Sequence, residues 1–138
     1  MTRALPDTPT PVAAAVAVLL PAYPDVVEWV GGWLVPVVRR IPSPREERRA
    51  AHPVRWCPSW WDHAEAVDRL EACWRAWEAA RLPTAGPDAL ARWWVQVFDP
   101  AWSALTRPEG TFEHCGPDRH RPLPPLPLRP PPPGWTGP

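Results

Sequence analysis

Residues 55–78 read RWCPSWWDHAEAVDRLEACWRAWE, and this stretch decides the fold. Its apolar side chains recur three and four residues apart, a spacing that predicts an amphipathic helix with one inward face. The residues of that face are Trp60, His63, Val67, Leu70, Trp74 and Trp77. Ser59 is predicted to cap the start of the helix, and Pro83 with Gly86 to end it.

The same stretch resembles a tryptophan-rich bacterial family, domain of unknown function 4913. The resemblance is carried by the pattern Trp56-Cys57-Pro58-x-x-Trp61-x-His63-x-Glu65-Ala66-Val67-x-Arg69-Leu70-Glu71-Ala72-x-Trp74-Arg75-Ala76-Trp77-Glu78, and it extends over about residues 25–120. It implies a small helical domain with no assigned activity. It also implies a gene from a GC-rich bacterium, often near plasmid or other mobile-element genes.

Length and composition limit the chain to one domain between two tails. The chain has 138 residues and a formal net charge of zero, so no overall field attracts nucleic acid or acidic lipid. Its 24 prolines far exceed the usual share of about 5% and gather at both ends. We therefore predict a disordered tail over 1–24, a helical domain over 25–115 and a disordered proline-rich tail over 116–138.

Two further helical regions flank the central helix. The first, from Asp25 to about Ile41, has Val26, Val30, Trp33 or Leu34, Val37 and Ile41 at helical spacing. Gly31-Gly32 should weaken it and Pro36 should kink it. The other runs from Pro87 to Leu105, with an apolar face of Leu90, Trp93, Trp94, Val97 and Phe98.

Asp99-Pro100 is predicted to end one helix and start another, and Thr111 to Cys115 to form a short extended piece. The fold class is thus all-α: a small bundle of three or four short helices.

Four residues form a candidate metal site. Cys57 and His63 lie at the start of the central stretch, and Cys115 and His120 come from the far end of the domain. Two thiolates and two imidazoles suit tetrahedral zinc in a structural role. His114 competes with His120 as a ligand. In the alternative interpretation no cofactor is bound, and Cys57 and His63 are ordinary core residues.

The third cysteine, Cys73, is interpreted as packing. An odd number of cysteines at this spacing is no disulfide framework.

No catalytic residues are predicted, so the chain is expected not to be an enzyme. His63-Ala64-Glu65 matches half of the zinc deaminase signature, but no Pro-Cys-x-x-Cys follows. A thiol nucleophile at Cys57 with His63 as its base lacks an identifiable third group. No phosphate loop or dinucleotide fingerprint is present, and no small-molecule substrate is indicated.

The leading hypothesis is a non-catalytic accessory domain that binds another protein. Its candidate contact is the tail, where Arg121, Pro124, Pro127 and Arg129 have the spacing that aromatic-lined grooves read in polyproline II ligands. The alternative is a small nucleic-acid-binding protein using the arginine-rich segment 39–55, with Arg48, Arg49 and Arg55, and an exposed tryptophan at Trp61 or Trp94.

The expected location is the cytoplasm, without membrane contact. The nine apolar residues from Val12 to Leu20 are too short to cross a bilayer and precede no signal-peptide cleavage site.

Overall fold

The computed structural model describes residues 20–40 and 54–138. It is helical, and within those residues it holds no strand, only one isolated bridge between Gly116 and Arg119. In chain order the elements are Val26–Trp29 (α), Val30–Leu34 (π), Val35–Val37 (α), Trp60–Asp62 (3-10), Ala64–Ala80 (α), Pro83–Ala85 (3-10), Ala89–Arg92 (α), Trp93–Phe98 (π) and Asp99–Thr106 (α).

Three helical parts follow from this order: a first helical segment (residues 26–37), the central helix (Ala64–Ala80) and a third helical segment (residues 89–106). The predicted all-α class is confirmed for the described residues. Among them no helix combines the length and apolar character needed to cross a membrane. The segment Val12 to Leu20, except for its last residue, lies outside the described residues, as does Ile41. Disorder of the two tails stays a prediction.

The central helix begins later than predicted. Ser59 makes no capping hydrogen bond, and Trp60–Asp62 forms a separate 3-10 turn. His63 is extended, with φ −112° and ψ 108°, so the α-helix begins at Ala64. The buried stripe is accordingly rotated: its members are Ala66, Leu70, Cys73 and Trp77, whereas Val67 and Trp74 are half-buried.

Both flanking segments contain a π turn that one residue separates from a following proline. The Val35 N–H donates to the Val30 carbonyl, five residues back, and Pro36 follows. The Asp99 N–H likewise donates to the Trp94 carbonyl before Pro100. The wider turn accommodates a ring that lacks an N–H and would clash with the carbonyl four residues earlier.

The prediction that Asp99-Pro100 separates two helices is therefore wrong. The Asp99 backbone is helical, and the segment continues through it to Thr106. Each π turn also adds a residue to the helical repeat and shifts the apolar face. Val37, which follows the first π turn, is exposed despite its predicted place in the core, whereas Trp29, which precedes that turn, is buried.

The core is a continuous set of aromatic rings. Trp29 lies 6.1 Å from Trp77 and 6.3 Å from Trp93 between ring centroids, which joins all three helical parts. The Trp93 indole also donates to the Cys73 carbonyl at 2.9 Å. The rings Phe98, Trp102, Trp56 and Phe112 extend the set towards the candidate metal site.

The packed part of the chain begins before Asp25. The Glu78 carboxylate accepts hydrogen bonds from the backbone N–H groups of Ala22 and Tyr23, both at 3.0 Å. The half-buried Tyr23 ring lies 5.9 Å from Trp77. Residues just before the first helical segment are thus held against the end of the central helix.

Candidate metal centre

The C-terminal end of the third helical segment positions both loops that carry the predicted ligands. The Arg55 N–H donates to the Thr106 carbonyl at 2.8 Å, two residues before Cys57. From the other side, the Phe112 N–H donates to the Leu105 carbonyl at 3.1 Å, three residues before Cys115. The last carbonyls of a helix lack partners within it, so each loop is held where it satisfies one of them.

Gly110 allows the loop before Cys115 to lie close against the end of the third helical segment. A Cβ atom there would lie 2.5 Å from the Ala104 carbonyl oxygen and 2.8 Å from that of Leu105. Beyond it, Thr111 to His114 form turns, so the predicted extended piece is wrong. The backbone N–H groups of Thr111 and Phe112 donate to the carbonyls of Ala104 and Leu105, and these bonds hold the stretch against the end of the helix.

A compact turn separates Cys57 from His63. The Asp62 N–H donates to the Ser59 carbonyl at 3.0 Å, and the His63 N–H to that of Trp60 at 3.1 Å. The buried Trp60 anchors this turn in the core, and the extended His63 backbone points its ring inwards, where it is 4% exposed.

A tight hairpin turn separates Cys115 from His120. The Gly116 N–H donates to the Arg119 carbonyl at 2.8 Å, and the reverse bond measures 3.3 Å. Pro117 and Asp118 occupy the corner, where proline favours the first central position because its φ is already fixed. Closing the hairpin places Cys115 and His120 side by side.

The two loops bring all four predicted ligands together. One ligand atom each from Cys57, His63, Cys115 and His120 lies within 4.8 Å of all the others. Cys57 Sγ is 3.2 Å from His120 Nδ1, and Cys115 Sγ is 3.5 Å from His63 Nε2. Zinc bonds of about 2.3 Å to sulfur and about 2.0 Å to nitrogen, at tetrahedral angles, separate ligand atoms by about 3.3–3.8 Å.

The competing ligand His114 is not in this cluster. It is half-buried, with its Nε2 4.0 Å from the Glu113 carboxylate. Cys73 also lies apart, buried in the helical core, as its interpretation as packing requires.

Burial shifts the pKa of two residues in the cluster, Cys57 and His63. Burial, reinforced by a hydrogen bond with Cys115, raises the pKa of the Cys57 thiol from 9.0 to about 11. Burial also lowers the pKa of His63, and repulsion from His120 adds to the effect. A neutral imidazole is the form that binds a metal, whereas a thiol must give up its proton to one.

Two outer hydrogen bonds support the cluster, and sequence reasoning missed both. The His120 Nε2 donates to the Asp62 Oδ2 at 2.8 Å. The Arg121 backbone N–H donates to the Cys115 sulfur at 3.4 Å. The pairing of Asp62 with His120 depends on a contact across 58 residues that no local sequence pattern reveals.

The residues predicted to bind nucleic acid or a partner protein lie outside the cluster or outside the described part of the chain. Arg48 and Arg49 lie outside the described residues. Arg55 is half-buried, and its Nε is buried without a hydrogen-bond partner in the described part of the chain. Of the candidate stacking residues, Trp61 is 64% exposed and Trp94 is half-buried against Trp33. The tail residues Arg121, Pro124, Pro127 and Arg129 are all exposed.

The chain matches a known protein family to which no activity is assigned. The family model described as "Domain of unknown function (DUF4913)" matches residues 23–133. No curated protein and no solved structure matches the chain.

Proposed function

Since the chain belongs to the DUF4913 family, whose description names no activity, we propose a function from the geometry: a non-catalytic protein-interaction domain with one structural zinc ion. The observation that carries the proposal is the convergence of Cys57, His63, Cys115 and His120. These residues come from two loops 52 residues apart in sequence, yet one ligand atom from each lies within 4.8 Å of all the others. Two of these distances, 3.2 Å and 3.5 Å, are close to those between the ligands of a tetrahedral zinc ion.

The donor set supports zinc as the metal. Two thiolates and two imidazoles suit zinc in tetrahedral geometry, whereas magnesium and calcium prefer oxygen ligands. The charge also balances, because two thiolates neutralise the divalent cation. A buried site tolerates a neutral complex better than a charged one.

The closure of the site supports a structural role over a catalytic one. Four protein ligands fill a tetrahedral shell, whereas catalytic zinc keeps one position for water or substrate. Three of the four residues are also buried, at 0% exposure for Cys57, 1% for Cys115 and 4% for His63. We therefore propose that the metal joins the two loops and carries out no reaction.

The proposed contact with a partner protein is the proline-rich tail. Leu126 and Leu128 are each 91% exposed, and residues 121–138 form no helix or strand. Proline-rich segments in polyproline II conformation bind aromatic-lined grooves at little entropic cost. Two overlapping motifs have the spacing that such a groove binds: Arg121, Pro124 and Pro127, and Pro124, Pro127 and Arg129. Because the thiolates need a reducing compartment, the same proposal places the domain in the cytoplasm.

Metal content tests the zinc proposal. We expect one zinc per chain by elemental analysis of protein purified without chelators, and its loss in Cys57→Ser and in Cys115→Ser. Cys73→Ser is the matched control, since Cys73 is buried but outside the cluster. Wild-type protein without stoichiometric zinc, or equal zinc in Cys57→Ser, would refute the proposal.

Binding to a purified SH3 or WW domain panel tests the tail contact. The full chain should bind at least one groove, and the double variant Pro124→Ala, Pro127→Ala should lose that binding. The matched control is Pro130→Ala, Pro131→Ala, which lies in the same tail outside both motifs. Equal binding by the two double variants would refute the assignment of the contact.

Nucleic-acid binding is the second candidate, and one observation favours it. Trp61 presents a 64% exposed indole, a surface on which a base can stack. Affinity for labelled single-stranded DNA should then fall steeply with salt and be reduced in Trp61→Ala. Absence of binding at low salt would remove this candidate.

A further inference from the structure

Resting on the zinc site proposed above, we infer that Asp62 is its positioning residue: the Asp62 carboxylate holds the His120 ring so that Nδ1 faces the metal. Asp62 is not a ligand of the cluster. It lies on the outer side of the ring, where its Oδ2 is 2.8 Å from Nε2.

The hydrogen bond fixes the tautomer of His120. An ionised carboxylate only accepts hydrogen bonds, so the proton of a neutral imidazole must lie on Nε2. The lone pair is then on Nδ1, the atom 3.2 Å from Cys57 Sγ and on the side of the other ligands. Metal-binding histidines commonly donate their second N–H to a carboxylate in this way, which also makes the ligand nitrogen more basic.

His120 needs such support more than the other ligands do. The other three side chains are buried in the core, and the His63 ring contacts Phe112 edge to face at 5.0 Å. The His120 side chain is 32% exposed and lies beyond the core on the hairpin. The Arg121 N–H bond to Cys115 holds the neighbouring backbone but does not restrain rotation of the His120 ring.

The turn between the first two ligands makes Asp62 available. Asp62 ends the 3-10 turn Trp60–Asp62, whose hydrogen bonds hold its backbone next to His63. Its side chain is 53% exposed, so removing it leaves no cavity in the core. An effect of its removal on the metal is therefore separable from an effect on packing.

The test compares zinc affinities by competition with a chromophoric chelator. Asp62→Ala should still bind one zinc per chain, but 10- to 100-fold more weakly than wild type, the usual loss for such outer partners. Asp62→Asn should fall in between, because its amide oxygen still accepts from Nε2 but carries no charge. The matched control is Asp68→Ala, which removes an exposed aspartate of the central helix and should bind zinc like wild type.

Two further measurements separate positioning from general stability. With the metal removed, Asp62→Ala and Asp68→Ala should differ little in their urea midpoints, since both side chains are exposed and an exposed pair such as Asp62–His120 adds little stability. Cobalt bound in place of zinc should show a changed ligand-field spectrum in Asp62→Ala alone, because only there is the imidazole free to turn.

Equal zinc affinities in Asp62→Ala and Asp68→Ala would overturn the inference and leave the zinc site standing. A lower stability of Asp62→Ala in the metal-free comparison would also overturn it, because Asp62 would then act on the fold. Absence of zinc from wild-type protein would instead remove the proposed function itself.

Discussion

Two buried tryptophans should respond differently to the same substitution. Trp29 and Trp93 are 0% and 2% exposed, and their rings are in edge contact within one aromatic cluster. The Trp93 Nε1 donates to the Cys73 carbonyl at 2.9 Å. The Trp29 Nε1 is buried and has no hydrogen-bond partner within residues 20–40 and 54–138. Replacing each by phenylalanine therefore removes a satisfied donor in one case and an unsatisfied one in the other.

The two variants should differ in stability because, among the described residues, only the Trp93 indole N–H of the two has a hydrogen-bond partner. The loss of buried apolar volume is the same in both variants. Each substitution leaves a cavity of roughly 40 Å³, which at about 24 cal/mol per Å³ costs about 1 kcal/mol in addition to the lost burial of apolar surface. Trp93→Phe also loses a hydrogen bond of about 0.5–1.5 kcal/mol, while Trp29→Phe relieves an unpaired donor that costs about 1–3 kcal/mol. Trp93→Phe should thus be the less stable variant by about 1.5–4.5 kcal/mol.

Urea denaturation of the metal-loaded proteins, followed by circular dichroism, measures the two free energies. In thermal unfolding the gap should reach at least about 6 °C, since 1 kcal/mol shifts the Tm of a domain this size by about 4–8 °C. Trp61→Phe, at a 64% exposed site, controls for the loss of indole itself. A Trp29→Phe variant as unstable as Trp93→Phe would refute the reasoning.

Three further predictions concern the loops and the central helix. Gly110→Ala should destabilise the domain by about 1–3 kcal/mol and weaken zinc binding, because its Cβ meets two backbone carbonyls; urea denaturation and chelator competition measure both effects. Deleting residues 122–138 should leave zinc content and Tm unchanged, whereas deleting 116–138 removes His120 and should abolish stoichiometric zinc. A hydrogen bond from Arg69 lowers the pKa of Glu65, so Glu65 stabilises the fold above its ordinary value of 4.5 and loses that effect as pH falls through the lowered value. Glu65→Gln should therefore be less stable than wild type at pH 7, and the difference should vanish in acid denaturation curves below that value.

The candidate metal cluster could be predicted from the sequence because the chemistry of the residue types limits the choice. Cys57, His63, Cys115 and His120 are two thiols and two imidazoles at the two ends of one domain, and the structure brings them together. Their outer partners could not be predicted in this way. Asp62 contacts His120 across 58 residues, and no spacing rule links the two positions.

The helical class followed from periodicity, but the details of each helix did not. Spacings of three and four assume a regular α-helix, and the π turns before Pro36 and Pro100 add a residue that no periodic template contains. The late start at Ala64 has a different cause. The His63 N–H closes the Trp60–Asp62 turn, and the His63 backbone is extended, so the α-helix begins at Ala64 and not at Ser59.

The proposed zinc ion would divide the chain into a part enclosed between its ligands and a part outside them. While zinc stays bound, the chain from His63 to Cys115 is a closed loop of about 52 residues, and holding an unfolded chain in such a loop removes roughly 4 kcal/mol of its conformational entropy. The central helix and the third helical segment lie inside this loop, whereas the first helical segment lies outside it. Residues 26–37 can therefore detach and re-form without opening the loop, so their backbone amides should exchange hydrogen before those of the enclosed helices.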